Sequence, residues 1–204
     1  MQTEKKNYQI ELDKTLKHIS EEGRIPRLLL HCCCAPCSSY VLEYLSNYFE
    51  ITVRYYNPNI GEAEEYRHRA RELQRLTSEM PLAHPVTYTE GAYEPEVFEE
   101  MARGLEAVPE GGVRCFRCYE LRLRESAAYA AEHGFDFFTT TLSISPLKNA
   151  QKLNEIGKAL SDEYGVPYLF SDFKKKNGYK RSVELSEVYG LYRQNYCGCR
   201  FSKR

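Results

Sequence analysis

The chain has 204 residues, 42% of them hydrophobic, with 28 Lys and Arg against 29 Asp and Glu. That length buries one core, and no stretch approaches the roughly 18–20 apolar residues of a membrane span. The opening MQTEKKNYQIELDKTLKHISEEGR is charged throughout and lacks the apolar centre of a secretory signal, so the expected protein is cytoplasmic, monomeric and without a membrane partner.

In chain order, residues 8–22 read as an amphipathic helix and RLLLH (27–31) as a first core strand. SSYVLEYLSNYF is helical, EITVRYYN is a strand rich in β-branched and aromatic residues, and 61–80 is a long charged helix. HPVTYTE is a further strand. Residues 91–114 look like an insertion of short helix and loop leading into the helix CFRCYELRLRESAAYAAEHG, closed by Gly134. FDFFTTTL is a strand, NAQKLNEIGKALSDEYG a helix, PYLFSDF a strand, and the tail from about 180 a last helix and irregular end. Repeated βα units predict an α/β fold: a parallel sheet with helices on both faces and function at the carboxyl edge of the strands.

Eight cysteines stand out: Cys32, Cys33, Cys34 and Cys37 in LLLHCCCAPC, Cys115 and Cys118 in RCFRCYE, and Cys197 and Cys199 in NYCGCRFS. Intracellular cysteines in clusters point to metal or redox chemistry rather than to a disulfide framework. The first group takes the place where a nucleotide-binding protein would carry a glycine-rich loop, and neither GxGxxG nor GxxxxGK[ST] occurs. Cys115 and Cys118, three apart at a helix start, share a face, and Arg114, Arg117, Arg122 and Arg124 favour their thiolates. Four converging ligands complete either an iron–sulfur cluster or a tetrahedral zinc; the cysteine count does not separate them, and the absence of a zinc ribbon's two-knuckle spacing argues mildly for the cluster. Cys32 is read as a core side chain. Charge is polarised as well: residues 1–110 hold 12 Lys and Arg against 19 acids, residues 111–204 hold 16 against 10. A basic half around thiols suits a polyanion such as RNA. Arg67, Arg69, Arg71 and Arg75 read as a solvated helix face, and His18, His68 and His84 as surface or packing residues.

Taken together, CCAPC, YYNPNI, RCFRCYELRL, TTTLSISPLKN and YRQNYCGCRFS, in this order from about residue 27 to the end, resemble the QueH-type epoxyqueuosine reductase family. The resemblance implies residues 1–26 as an N-terminal helical extension and 27–204 as one catalytic domain, with a sheet like that of the adenine-nucleotide α-hydrolases. It implies reduction of the epoxyqueuosine base in a tRNA anticodon loop, the oxygen leaving as water, with a 4Fe-4S cluster, no cobalamin and a separate electron donor. Carried over by position, Cys33, Cys34, Cys115 and Cys118 would hold the cluster. Cys197 and Cys199 would form a catalytic redox pair or, with Cys37, hold a second iron.

Less specific motifs add expectations. Tyr55, Tyr56 and Asn57 are candidates to stack on and bond the base, with Thr140, Thr141 and Ser143 beside them. A strand end and a capping turn are the plain alternatives. Lys148 and Asn149 are candidates for phosphate or ribose, and Tyr192, Arg193 and Gln194 for substrate or for support of the CGC turn. Lys174, Lys175, Lys176, Lys180, Arg181 and Arg200 are candidates for the tRNA backbone, since Asp172 is the only acid beside the lysine run. Three rivals share some of these features. They are a tRNA-thiolating ATPase, which wants a phosphate loop; a zinc-stabilised RNA-binding module; and a thiol–disulfide oxidoreductase, which leaves CCCAPC unexplained.

Overall fold

The computed structural model describes residues 6–203, so residues 1–5 of the expected extension and Arg204 of the basic tail lie outside the described residues. Helix α1 (Tyr8–Glu22) begins where the Asn7 side chain accepts the Gln9 N–H at 3.2 Å, and it ends at Gly23, whose φ of 68° suits a residue without Cβ. Its stripe Tyr8, Leu12, Leu16 and Ile19 is buried. Strand β1 (Arg27–His31) follows, then α2 (Ala35–Leu45), β2 (Glu50–Tyr55), α3 (Ala63–Glu79) and β3 (Val86–Glu90). Next come α4 (Pro95–Ala102), α5 (Val113–Glu132), β4 (Phe137–Thr140), α6 (Ala150–Tyr164) and α7 (Gly178–Val188).

The four strands form one parallel sheet in the order β3-β2-β1-β4, with Leu29 opposite Thr52 on one side and Phe138 on the other. Alternation along β1 divides the core between the two faces. Leu28 and Leu30 pack with Leu12, Leu42, Val53 and Leu73, whereas Leu29 packs with Leu123, Phe138 and Leu153. Helices α1, α2, α3 and α7 therefore cover one face and α5 and α6 the other, as the alternation of elements predicts. Among the described residues no helix is long and apolar enough to cross a membrane.

Two expectations are corrected. Helix α2 starts at Ala35 rather than at Ser38, because Pro36 supplies a first-turn φ without needing a donor; this places Cys34 at the N-cap and Cys37 inside the first turn. The expected strand at 167–173 reduces to a single bridge between Tyr168 and Phe138. Asn154 of α6 takes both backbone groups of Ser171, accepting its N–H at 2.9 Å and donating to its carbonyl at 2.8 Å. A continued ladder would need those same groups.

The carboxyl edge is locked by His31. Its Nε2 lies 3.1 Å from the Tyr56 carbonyl and its Nδ1 2.9 Å from the Thr140 hydroxyl. A carbonyl only accepts, so Nε2 carries the hydrogen and Nδ1 accepts from Thr140. One fully buried ring thus ties the ends of β1, β2 and β4 together.

Candidate metal and active site

Beyond His31 the chain turns through the cysteines. Cys32 points into the core beneath the sheet edge, and burial pushes its thiol pKa up strongly. Cys33, Cys34 and Cys37 point together, their sulfurs all within 4.8 Å of one another and Cys33 Sγ 3.7 Å from Cys34 Sγ. Three thiols this close cannot all ionise. The thiols of Cys33 and Cys37 donate to Cys34, whose pKa is held well below the usual thiol range, with Arg69 nearby adding to the effect. Cys37 is raised in return by its hydrogen bonds to Cys33 and Cys34. The trio can hold a metal ion.

A second group forms where the start of α5 meets the tail. Cys115, Cys118, Cys197 and Cys199 line one narrow cavity of about 20 Å³. Arg114 fixes the helix start beneath the insertion by donating to the carbonyls of Leu105 at 2.8 Å and Glu106 at 3.0 Å. The tail is held just as closely. Arg69 donates to the Cys197 carbonyl at 3.2 Å, Ser202 Oγ accepts the Cys197 N–H at 3.2 Å, and the same hydroxyl donates to the Cys199 carbonyl at 2.8 Å. Gly198 between them has φ 101°, and a Cβ there would stand 2.8 Å from Ile60 Cγ1. The CGC turn therefore needs its glycine for both conformation and space.

The two thiol groups are neighbours. A cavity of about 410 Å³ opens over them, with Cys33, Cys37 and Cys197 among its walls, and it shares Arg122, Lys148 and Cys197 with the narrow one. Arg122 is 1% exposed. It donates only to the Cys118 carbonyl at 3.3 Å and to Asn57 Oδ1 at 3.4 Å, and its buried Nη2 has no hydrogen-bond partner among the described residues. The sulfurs of Cys118, Cys197 and Cys33 face it, and burial pushes the Cys118 thiol up to about 11, against the thiolate its neighbouring arginines were expected to favour. Lys148 reaches inward to place Nζ 3.2 Å from Cys197 Sγ, with Glu110 3.6 Å away on the open side. Burial by itself would lower the Lys148 pKa, but Cys197 and Tyr119 outweigh it and the ammonium is held protonated. The site is a set of soft sulfur donors walled by the buried guanidiniums of Arg69, Arg114 and Arg122 and by the partly buried Lys148, suited to an anionic metal–thiolate centre.

Residues 28–204 match the family model described as Epoxyqueuosine reductase QueH. The chain belongs to that family. A curated relative of this name from Staphylococcus epidermidis is 44% identical over 206 residues, covering 99% of this chain and 87% of the relative. One from Streptococcus pyogenes is 44% identical over 203 residues (98% and 80%), and one from Thermotoga maritima 35% over 181 residues (86% and 89%). Membership makes the chain an oxidoreductase of the epoxyqueuosine reductase family, as the motifs predict.

Within this candidate site the residues expected from the sequence divide. Lys148, Arg193 and Gln194 line the larger cavity. Asn57 is fully buried behind the thiol loop, donating to the Cys32 carbonyl at 2.9 Å, so it positions the loop and Arg122. Tyr55 and Tyr56 are buried beneath the site. The Tyr55 hydroxyl donates to the Tyr66 carbonyl at 2.9 Å beneath α3, and that of Tyr56 points to Glu94 at 3.3 Å. Thr140 serves His31, Ser143 bonds Ser171 Oγ at 3.1 Å, and Thr141 is buried. Asn149 is the N-cap of α6, accepting the Lys152 N–H at 3.0 Å. Tyr192 donates to Glu65 at 3.2 Å.

The basic run is less free than its sequence reads. Lys174 pairs with Asp172, Lys176 with Asp13, Arg181 with Glu43 and Arg200 with Glu99. Those acids are remote in sequence or set apart by the fold, Asp172 excepted. Arg69 is the residue that sequence reasoning misplaced: it is 1% exposed and part of the site. Its signal was its register, because Tyr66, Arg69, Ala70, Leu73 and Leu76 form the buried stripe of α3. Tyr119 and Glu110, which also line the narrow cavity, carry no comparable signal.

Proposed function

We propose that the chain reduces epoxyqueuosine in the anticodon loop of tRNA to queuosine. Two electrons and two protons convert the epoxide to the alkene, and the oxygen leaves as water. The single observation that carries this reading is the convergence of seven thiols from three segments beside a buried guanidinium with no carboxylate partner. A fully buried, unpaired positive charge is costly, and a cluster held by four thiolates is an anion that offsets it. Thiol chemistry, buried cations and the unpartnered Arg122 Nη2 all fit a 4Fe-4S cluster. On the family pattern Cys33, Cys34, Cys115 and Cys118 would hold it, and it would supply electrons one at a time from a separate donor.

The remaining work falls to the chain itself. The larger of the two thiol cavities is of a size to take a modified base, and Leu142, Ile144 and Pro146 give it an apolar wall for the base to pack against. Cys197 and Cys199 form the adjacent dithiol, with Cys37 able to join Cys197 as a ligand for a second iron. Lys148 keeps its proton at Nζ against Cys197 and fixes that sulfur at the cavity floor.

Anaerobic purification with iron and sulfide analysis, followed by assay on tRNA carrying epoxyqueuosine, tests the reading. The expected protein is brown, holds about four irons per chain or more, and yields queuosine; Cys197→Ser loses turnover while retaining the cluster. Colourless protein that takes up zinc but no iron, and converts no epoxyqueuosine, would return the chain to a zinc-stabilised RNA-binding module.

A further inference from the structure

A second concavity, of about 1070 Å³, lies beside the thiol cavity, and the two share a wall made of Pro146, Leu147, Lys148 and Tyr179. The wall inverts the usual placement of side chains. Leu147 is 69% exposed, yet the next residue, Lys148, is turned inward against Cys197. A tight turn enforces this, with Pro146 at its second position, the Lys148 N–H donating to the Ser145 carbonyl at 3.1 Å and the Leu147 N–H donating to Ser145 Oγ at 3.3 Å. The same wall carries Tyr179, 41% exposed and set by the left-handed residues Lys176 and Asn177 just before α7. A leucine and a tyrosine held in water by a rigid turn and a helix start form a ridge waiting for an apolar face.

The far side of the ridge is basic. Lys6, Lys148, Lys174 and Lys175 line the second concavity against one carboxylate, Asp172. Asp172 is already engaged by Lys174, whereas Lys175 makes no ion pair among the described residues. Lys6 pairs with Glu11 at 3.7 Å and Lys148 with Glu110 at 3.6 Å, which leaves Lys175 as the unpaired ammonium of this lining among the described residues. Apolar surface next to that ammonium matches a nucleotide, whose base stacks and whose phosphate is anionic.

We propose that this second concavity binds the nucleotide adjacent to the modified one, its base against Tyr179 and Leu147 and its phosphate against Lys175. The inference rests on the RNA reading above and adds a subsite to it. The ridge separates successive bases, so that one drops onto the thiols while its neighbour is held outside.

Binding can be read without turnover, by fluorescence anisotropy of the iron-loaded protein with an unmodified anticodon stem-loop RNA. Tyr179→Ala is expected to weaken binding about tenfold, as is usual for loss of one base–aromatic stack. Tyr179→Phe, which keeps the ring, should stay near wild type. An abasic site placed in turn on each side of the target nucleotide should weaken wild-type binding from one side, and that loss should vanish in Tyr179→Ala. Lys175→Ala should reduce the salt slope by about one. The subsite is overturned if Tyr179→Ala binds as wild type, if Tyr179→Phe is as weak as Tyr179→Ala, or if neither abasic position couples to Tyr179. Wild-type protein that reduces tRNA while the variants bind alike would remove the subsite alone. Wild-type protein that binds RNA with that coupling but converts no epoxyqueuosine would remove the reductase reading and keep the subsite. Wild-type protein that binds no RNA would remove both.

Discussion

Arg69 and Arg122 carry the same charge as Lys176 and Arg181, yet the molecule treats the two pairs in opposite ways. The pair in the lysine-rich stretch lies at the surface, and each member is matched by a carboxylate from a distant element, Asp13 at 2.6 Å for Lys176 and Glu43 at 2.6 Å for Arg181. The other pair is buried under the thiol cavity. Arg69 is partly balanced by Glu65, but Arg122 faces sulfur with no carboxylate at all. Surface pairs of this kind contribute little to stability, whereas an unbalanced buried charge is retained at a cost. The difference teaches where to look for function: in the charge that the chain itself does not neutralise.

The strongest way to break this comparison is Arg122→Met. If Arg122 exists to balance an anionic centre, removing it should relieve the metal-free protein, raising its stability by on the order of 2 kcal/mol. The same change should lower metal affinity or turnover roughly 10–100-fold, as expected for a group that supports a metal site from just outside its ligands. Denaturant unfolding of the metal-free form, beside iron content after reconstitution, reads both. A metal-free protein destabilised by Arg122→Met would mean that the guanidinium is structural, and the contrast with the surface pairs would lose its functional meaning.

His31 sharpens the same comparison through pH. Burial, and next the positive charge of Arg122, push its pKa down to about 4 from an ordinary 6.5. The unfolded chain therefore binds a proton between these values that the folded chain refuses. Stability from the neutral ring is fully present above pH 6.5 and is lost as pH falls toward 4, a span of about 3 kcal/mol. His31→Gln should flatten that part of the curve relative to wild type, measured as denaturant midpoints of the metal-free protein from pH 7 to pH 4.5. Equal slopes in the two proteins would show that His31 does not titrate against the buried cation.

Much of this architecture is legible in the sequence, for identifiable reasons. The stripe of α1 and the apolar run of β1 declare themselves by period, and Gly134 closes α5 where expected with φ 64°. Residues 167–173 have an equally good strand pattern, but the competing claim of Asn154 on Ser171 depends on where α6 packs, which no local window contains. The site divides in the same way. Clustering marks the cysteines as a set, and the family motifs mark their reaction. The burial of Tyr55 and Tyr56 and the pairing of Arg181 with Glu43, 138 residues away, follow only from the tertiary arrangement. Arg69 was readable in principle, since a charged residue within an apolar stripe is where local pattern and function disagree.

The smallest expected effect lies at the rim, where it separates charges that are free from charges that are spent. Arg181 holds Glu43 and Glu184, so engaging an RNA phosphate would mean giving up contacts of similar strength. Lys175, only six residues earlier, makes no such pair among the described residues. Arg181→Ala is therefore expected to leave the affinity for stem-loop RNA within about twofold and the salt slope unchanged, while Lys175→Ala lowers that slope by about one. Salt titrations of the two variants decide it. If Arg181→Ala flattened the slope as much as Lys175→Ala, the Glu43 pair would have to open on RNA binding. The acids that neutralise this face in the free protein would then compete with the substrate rather than merely hold the helices together.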